Sequence, residues 1–264
     1  MNDLQIYVDA WRHSVHAVLD LAEDIDDHQW MLSTDLPGWD VHDVVAHLAH
    51  LEAVLAGQTP DTEVDATASG VLSTYTEAGV QERRGMSPAD VVAELRAGVA
   101  AREAALVDLP ADPKAPADHT PGAAPWTWEV LLRNRAIDAW CHEQDLRRTL
   151  ERPGNLDAPG AHVTTLTFAA AMPFVLGKKV APPAGSSVTW EISGPVELTV
   201  GATIGNDGRA TPERSDSPDV TLRMSSEDFC VLGAGRRRPE AVGVSIDGDE
   251  ALAARVLASM AVTI

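Results

Sequence analysis

The chain has 264 residues, 45% apolar and 23% charged, with 40 acidic against 20 basic residues and a net charge of −20. Phosphate contacts need clustered Lys and Arg, so this balance argues against general nucleic-acid or anionic-membrane binding. Cys141 and Cys230 stand far apart and outside any CxxC pair, which supports neither a disulfide framework nor a cysteine-zinc site. No apolar run approaches the roughly 18 residues of a membrane span, and Met1 to Asp9 carries acid where a signal peptide carries base, so a cytoplasmic protein is expected.

Taken in chain order, the first half reads as helices. From Leu4 to about Trp30, Val8, Trp11, Val15, Val18, Leu19 and Ala22 recur at three- and four-residue steps. Asp40 is placed to cap a second helix reaching about Ala56, with Val41, Val44, Val45, Leu48 and Leu51 on one side. A third, shorter helix spans Val71 to Arg83. Ser87 and Pro88 open a fourth that runs to Leu109, and after a connector from Pro110 to Pro125 a last helix runs from Thr127 to Leu150. These helices suffice for an antiparallel four-helix bundle.

The second half changes period. One helix is expected over 161–176, then strands at Ser187 to Ile192, Val196 to Val200, Asp219 to Met224 and Val242 to Ile246, with helices at Glu227 to Leu232 and Asp249 to Met260. The fold class is therefore α+β with two domains, 1–152 helical and 160–264 with a small, mainly antiparallel sheet, divided at the Pro/Gly-rich stretch after Arg152. Charge divides in the same place. Residues 1–150 hold 26 acids and 10 bases, and six of the seven tryptophans.

His42, His47 and His50 fall on the second helix, His47 toward the bundle interior or its edge and His42 near the helix start. On the last helix, Asp138 and His142 are four apart and share a face. Two ligands from one helix and one from a facing helix make a three-ligand site that leaves a divalent metal an open position. Zn²⁺ suits such a donor set, with Fe²⁺, Mn²⁺ and Ni²⁺ open by ligand type. The same spacing also describes a surface ion pair. Asp145 is either a partner for the His142 ring or a helix-surface charge.

Two segments carry a resemblance. Leu36-Pro37-Gly38-Trp39-Asp40-Val41-His42-Asp43-Val44-Val45-Ala46-His47-Leu48, and Arg135-Ala136-Ile137-Asp138 through His142 to Asp145-Leu146, resemble the two signatures of the mycothiol-dependent maleylpyruvate isomerase family. That family belongs to the DinB-like metal-binding four-helix bundles and appends a small domain resembling sterol-carrier modules, matched here by Asp219 to Leu222, Gly235-Arg236 and Gly248-Asp249. The resemblance implies metal ligands at His47, Asp138 and His142. Asp138 departs from the family's usual Glu by one methylene. It also implies mycothiol as the thiol partner, either recycled in cis–trans isomerisation or consumed in S-transfer. A metal that lowers the thiol's pKa makes this chemically coherent.

Cys141 directly precedes His142 and points about 100° away from it around the helix, so it is read as packing rather than as a thiol of the site. Arg236, first of the basic triplet Arg236-Arg237-Arg238, is the substrate-contact candidate for a carboxylate, with a solvated basic turn as its alternative. Trp39, Trp126 and Trp128 either line a pocket or pack between elements. The acids of the helical half would favour a cation's approach and oppose that of an anionic substrate. The leading reading is a metal-dependent enzyme acting on a small thiol and a small organic substrate, against a non-catalytic metal-binding or regulatory protein of the same fold, or a small-ligand carrier.

Overall fold

The computed structural model describes residues 4–58 and 71–263, with side chains described from residue 74 in the third helix. Contacts divide the chain into two units, residues 1–154 with 158–160, and residues 155–157 with 161–263.

The first unit is the helical bundle. Its helices are α1 (Gln5–Glu23), α2 (Val41–Leu55), α3 (Val71–Arg83), α4 (Pro88–Ala105) and α5 (Trp128–Thr149). α1 packs chiefly on α5, and α2 on α4. Both caps expected from the sequence are made, Asp40 and Ser87 accepting the backbone N–H of Asp43 and Asp90, and Thr127 also caps its helix by accepting that of Val130. A Cβ at Gly98 would lie 3.0 Å from the Glu52 Cβ, so the missing side chain is what brings α4 against α2 at that level.

α1 stops seven residues short of the expected Trp30. Asp26 Oδ1 accepts the backbone N–H groups of His28 and Gln29, both at 2.9 Å. This local bonding competes with helix continuation, and the chain restarts as a short 3-10 turn over Gln29–Met31. α4 likewise ends at Ala105 rather than Leu109.

The second unit contains α6 (Pro159–Phe174), continued as a π-helical segment over Val175–Val180, then β1 (Ser187–Ser193), β2 (Leu198–Ile204), β3 (Ala210–Thr211), β4 (Val220–Ser225), α7 (Ser226–Gly233), β5 (Val244–Gly248) and α8 (Glu250–Ala258). The sheet order is β3-β2-β1-β4-β5. β1 and β4 run parallel, Trp190 opposite Leu222, and the other pairs are antiparallel. Alternation sends Val188, Trp190, Ile192, Val220, Leu222 and Met224 inward, and α7 and α8 pack on β4.

Two expectations change here. β2 is displaced from Val196–Val200 to Leu198–Ile204, because the strand carries on through Gly201, where a Cβ would lie 2.6 Å from Arg214 Cα. The helical run Pro159–Val180 is, by length and composition, apolar enough to cross a membrane, contrary to the expectation that no segment qualifies; more than half of its apolar window is buried within the structure. Its Thr165 hydroxyl lies 3.2 Å from Cys230 Sγ of α7, as befits a core helix.

Candidate metal centre

α5 presents one stripe toward the bundle interior. Arg135, Asp138, His142, Asp145 and Arg148 follow one another at steps of three or four, so their side chains stack along a single face. α2 faces it with His47 and Glu52. The capped start of α2 sets the register that puts His47 inside; it is 3% exposed, and His142 is 5%.

The three residues implied as ligands come together. His47 Nε2 lies 3.3 Å and His142 Nε2 3.4 Å from the same oxygen, Asp138 Oδ1. Their ligand atoms all lie within 4.8 Å of one another. The other Asp138 oxygen, Oδ2, accepts a hydrogen bond from Arg135 at 2.7 Å. The Asp138 side chain is 28% exposed, so the cluster opens to solvent on the carboxylate side.

Further contacts fix the two rings. His142 Nδ1 lies 3.1 Å from Asp145 Oδ2, and Asp145 in turn accepts from Arg148 at 2.5 Å, which resolves the two readings of Asp145 in favour of a ring partner. Trp39 packs on both imidazoles, with centroids 5.3 Å from His47 and 6.1 Å from His142, and its indole N–H donates to Glu77 at 2.9 Å. His47 Nδ1 is buried without a hydrogen-bond partner.

The electrostatics set the two histidines apart. Burial disfavours the imidazolium of His47 and holds its pKa below the ordinary histidine range, outweighing the attraction of Asp138. Burial acts on His142 in the same direction, but Asp138 and Asp145 both face it and its pKa is raised. Asp138 also pays for burial, yet Arg135 and the two histidines hold its carboxyl well below the usual carboxylate range.

The remaining candidates lie elsewhere. His42 Nε2 contacts the Met86 carbonyl at 3.1 Å, and His50 Nδ1 contacts Arg83 at 3.1 Å. Cys141 is buried. Arg236 belongs to the second unit, in the turn after α7, where it donates to the Ala234 carbonyl at 2.9 Å. Trp126 and Trp128 are half-buried.

Sequence reasoning assigned no role to Glu52 or to the side chain of Arg135. Arg135 stood in the second signature, one turn before Asp138. Glu52 is a lone acid in the apolar run Leu51 to Leu55, and an acid placed there signals a buried partner.

Residues 11–147 match the model of the mycothiol maleylpyruvate isomerase N-terminal domain, and residues 166–255 match the MDMPI C-terminal domain. No curated protein matches the sequence. Among solved structures, the crystal structure of the mycothiol-dependent maleylpyruvate isomerase is similar at 15% identity, with 92% of each chain covered and a TM-score of 0.57. A histidine-to-alanine variant of that enzyme is similar at 14% identity, 92% coverage of each chain and a TM-score of 0.56. At that identity the structural likeness establishes the fold, and the two domain models, in order and together spanning most of the sequence, establish the kinship: the chain belongs to the mycothiol-dependent maleylpyruvate isomerase family.

Proposed function

We propose that this protein is a divalent-metal enzyme that activates mycothiol for isomerisation of, or S-transfer to, a small organic substrate, with His47, Asp138 and His142 as the metal ligands and zinc as the metal. The carrying observation is the convergence of two imidazole Nε2 atoms on one carboxylate oxygen at 3.3 and 3.4 Å. Ligands bound to zinc at about 2.0–2.1 Å in tetrahedral arrangement sit about 3.3–3.4 Å from one another, so the two histidine–aspartate pairs have the spacing the ion needs. The shorter Asp138 reaches both histidines, so the lost methylene does not take the carboxylate out of the set.

A bound zinc ion would supply Lewis acidity and lower the pKa of a coordinated thiol. The chain's own residues do the rest. Asp145 accepts the Nδ1 proton of His142 and so fixes the tautomer that turns Nε2 toward Asp138. Trp39 walls off the two imidazoles. The exposed side of Asp138 leaves the approach open to a thiol and a substrate. In the second unit, Arg236 is proposed as a contact for a substrate carboxylate.

The test is metal analysis of protein purified without added metal, coupled to a mycothiol-dependent maleylpyruvate assay of wild type and His142→Ala. One equivalent of zinc and turnover in the wild type, both lost in the variant, is the expected result. Equal metal content in the two proteins would overturn the ligand assignment, and metal without turnover would leave a non-catalytic metal-binding protein.

A further inference from the structure

Asp138 has two oxygens, and the structure treats them differently. Oδ1 faces both histidines, whereas Oδ2 is held by Arg135 at 2.7 Å. Arg135 is 3% exposed, and its other arm reaches Glu52 Oε1 at 2.5 Å. Glu52 is fully buried; its Oε1 also accepts the indole N–H of Trp11 at 3.0 Å, and Arg102 lies 3.7 Å from its Oε2. The guanidinium is thus clamped between two carboxylates in a packed interior and has no solvent-facing alternative. Charge-assisted bonds of this kind are short and directional. A carboxylate tied through one oxygen to an immobile fork cannot rotate to offer both.

We propose that Arg135, braced by Glu52, is the positioning residue that confines Asp138 to a single ligating oxygen. This rests on the metal-ligand reading above. It goes beyond it in assigning the buried ion-pair network a purpose at the site: Oδ2 is kept away from the metal, so three protein atoms bind and one coordination position stays free for the thiol.

The probe is Co²⁺ in place of the native metal, read by visible absorption, with Zn²⁺ affinity measured by competition against a chromogenic chelator. The wild type should give the intense absorption of four-coordinate Co²⁺. In Arg135→Gln the freed Oδ2 should enter coordination, weakening the absorption toward the five-coordinate type, and Zn²⁺ affinity should fall about 10- to 100-fold. Arg135→Lys keeps a cation but not the two-armed bridge and should move the same way, as should Glu52→Gln, which loosens the brace. Helical circular dichroism should be unchanged in all of them.

An Arg135→Gln protein with wild-type spectrum and affinity would overturn the positioning role, while the metal reading would survive as long as His142→Ala lost Zn²⁺. A wild type that bound neither ion would overturn both. Should the Arg135 variants fail to fold, the wild-type spectrum decides alone, since a weak five-coordinate absorption there would mean that Oδ2 is not withheld.

Discussion

The two units bury different kinds of polarity. Among the described residues, the helical unit buries Asp43, His47, His50, Glu52, Arg83, Arg102, Arg135, His142, Glu143 and Asp145, whereas the buried polar side chains of the second unit are the hydroxyls of Thr164, Thr165, Ser187, Thr189, Thr221 and Ser226. A hydroxyl carries no net charge, so burying it costs far less than burying an ionised group. Charges are not, and replacing a buried ion pair by apolar residues is often neutral or stabilising. A fold that needed only to be stable would resemble the second unit throughout. Six of those ten, His47, Glu52, Arg102, Arg135, His142 and Asp145, belong to the network that reaches Asp138, whereas Asp43, His50, Arg83 and Glu143 pair elsewhere; that network is the part of the molecule that stability alone does not explain.

The same contrast revises the meaning of the acidic half. Asp138 and Asp145, the carboxylates closest to the histidine pair, are each bonded to an arginine, Arg135 and Arg148. Their charge is partly offset locally. The histidines therefore face carboxylates that each share an arginine, Arg135 with Glu52 and Arg148 with Asp35, within a half of the chain that stays acidic.

The comparison can be broken most decisively at Glu52. Glu52→Ala leaves Arg135 and Arg102 buried with one carboxylate fewer, and should cost about 3–5 kcal/mol in urea unfolding. The double variant Glu52→Ala/Arg135→Ala should lose less than the sum of the singles by about 0.5–3 kcal/mol; simple additivity would show that the pair is not coupled. In the second unit, Leu222→Ala should cost about 2–5 kcal/mol through the cavity it opens, insensitive to salt because no charge is exposed.

Next comes pH. His142 has a raised folded-state pKa, so in metal-free protein its contribution is fully present below about 6.5 and is lost as pH rises through the folded value. His47, with its lowered pKa, acts in the opposite sense, its destabilisation easing as pH rises to its unfolded value of 6.5 and fading above it. Chelator-treated protein should therefore lose urea resistance on the alkaline side of 6.5, and His142→Gln should flatten that decline. Zinc-loaded protein should not show it, because ligation needs neutral imidazoles. A decline unchanged in His142→Gln would place the titrating group elsewhere.

The smallest expected effects are at the caps, where the two units should behave alike. Asp40→Ala on α2 and Asp249→Ala on α8 each remove a carboxylate that accepts backbone N–H groups, at 2.9 Å from Asp43 and at 2.9 and 3.0 Å from Ala251 and Leu252. Each should cost about 1 kcal/mol by thermal unfolding.

What was legible in the sequence was whatever short spacing encodes. The caps at Asp40 and Ser87 each precede an apolar periodicity, and Asp138 and His142 share a face by arithmetic. Hidden from view was whatever depends on distant partners or on side chains competing with the backbone. Asp26 ends α1 by bonding its own neighbours. Strands β1 and β4 pair parallel although their alternation fits either direction, and the two-residue β3 is too short to show any period. The step from Asp145 to His142 suits a surface charge as well as a ring partner, so only the fold distinguishes them. Glu52 finds its donors 41 residues before it and 83 after it, in Trp11 and Arg135.

That last separation has a kinetic meaning. Glu52 on α2 draws its partners from α1, α4 and α5, so long stretches of chain must close before its charge is answered. An assembly that lacks α4 or α5 leaves Glu52 with one arginine fewer than the native bundle gives it. The cluster is thus completed only when the whole bundle docks. It stabilises the native state more than the folding transition state, and its loss should appear as faster unfolding rather than slower folding.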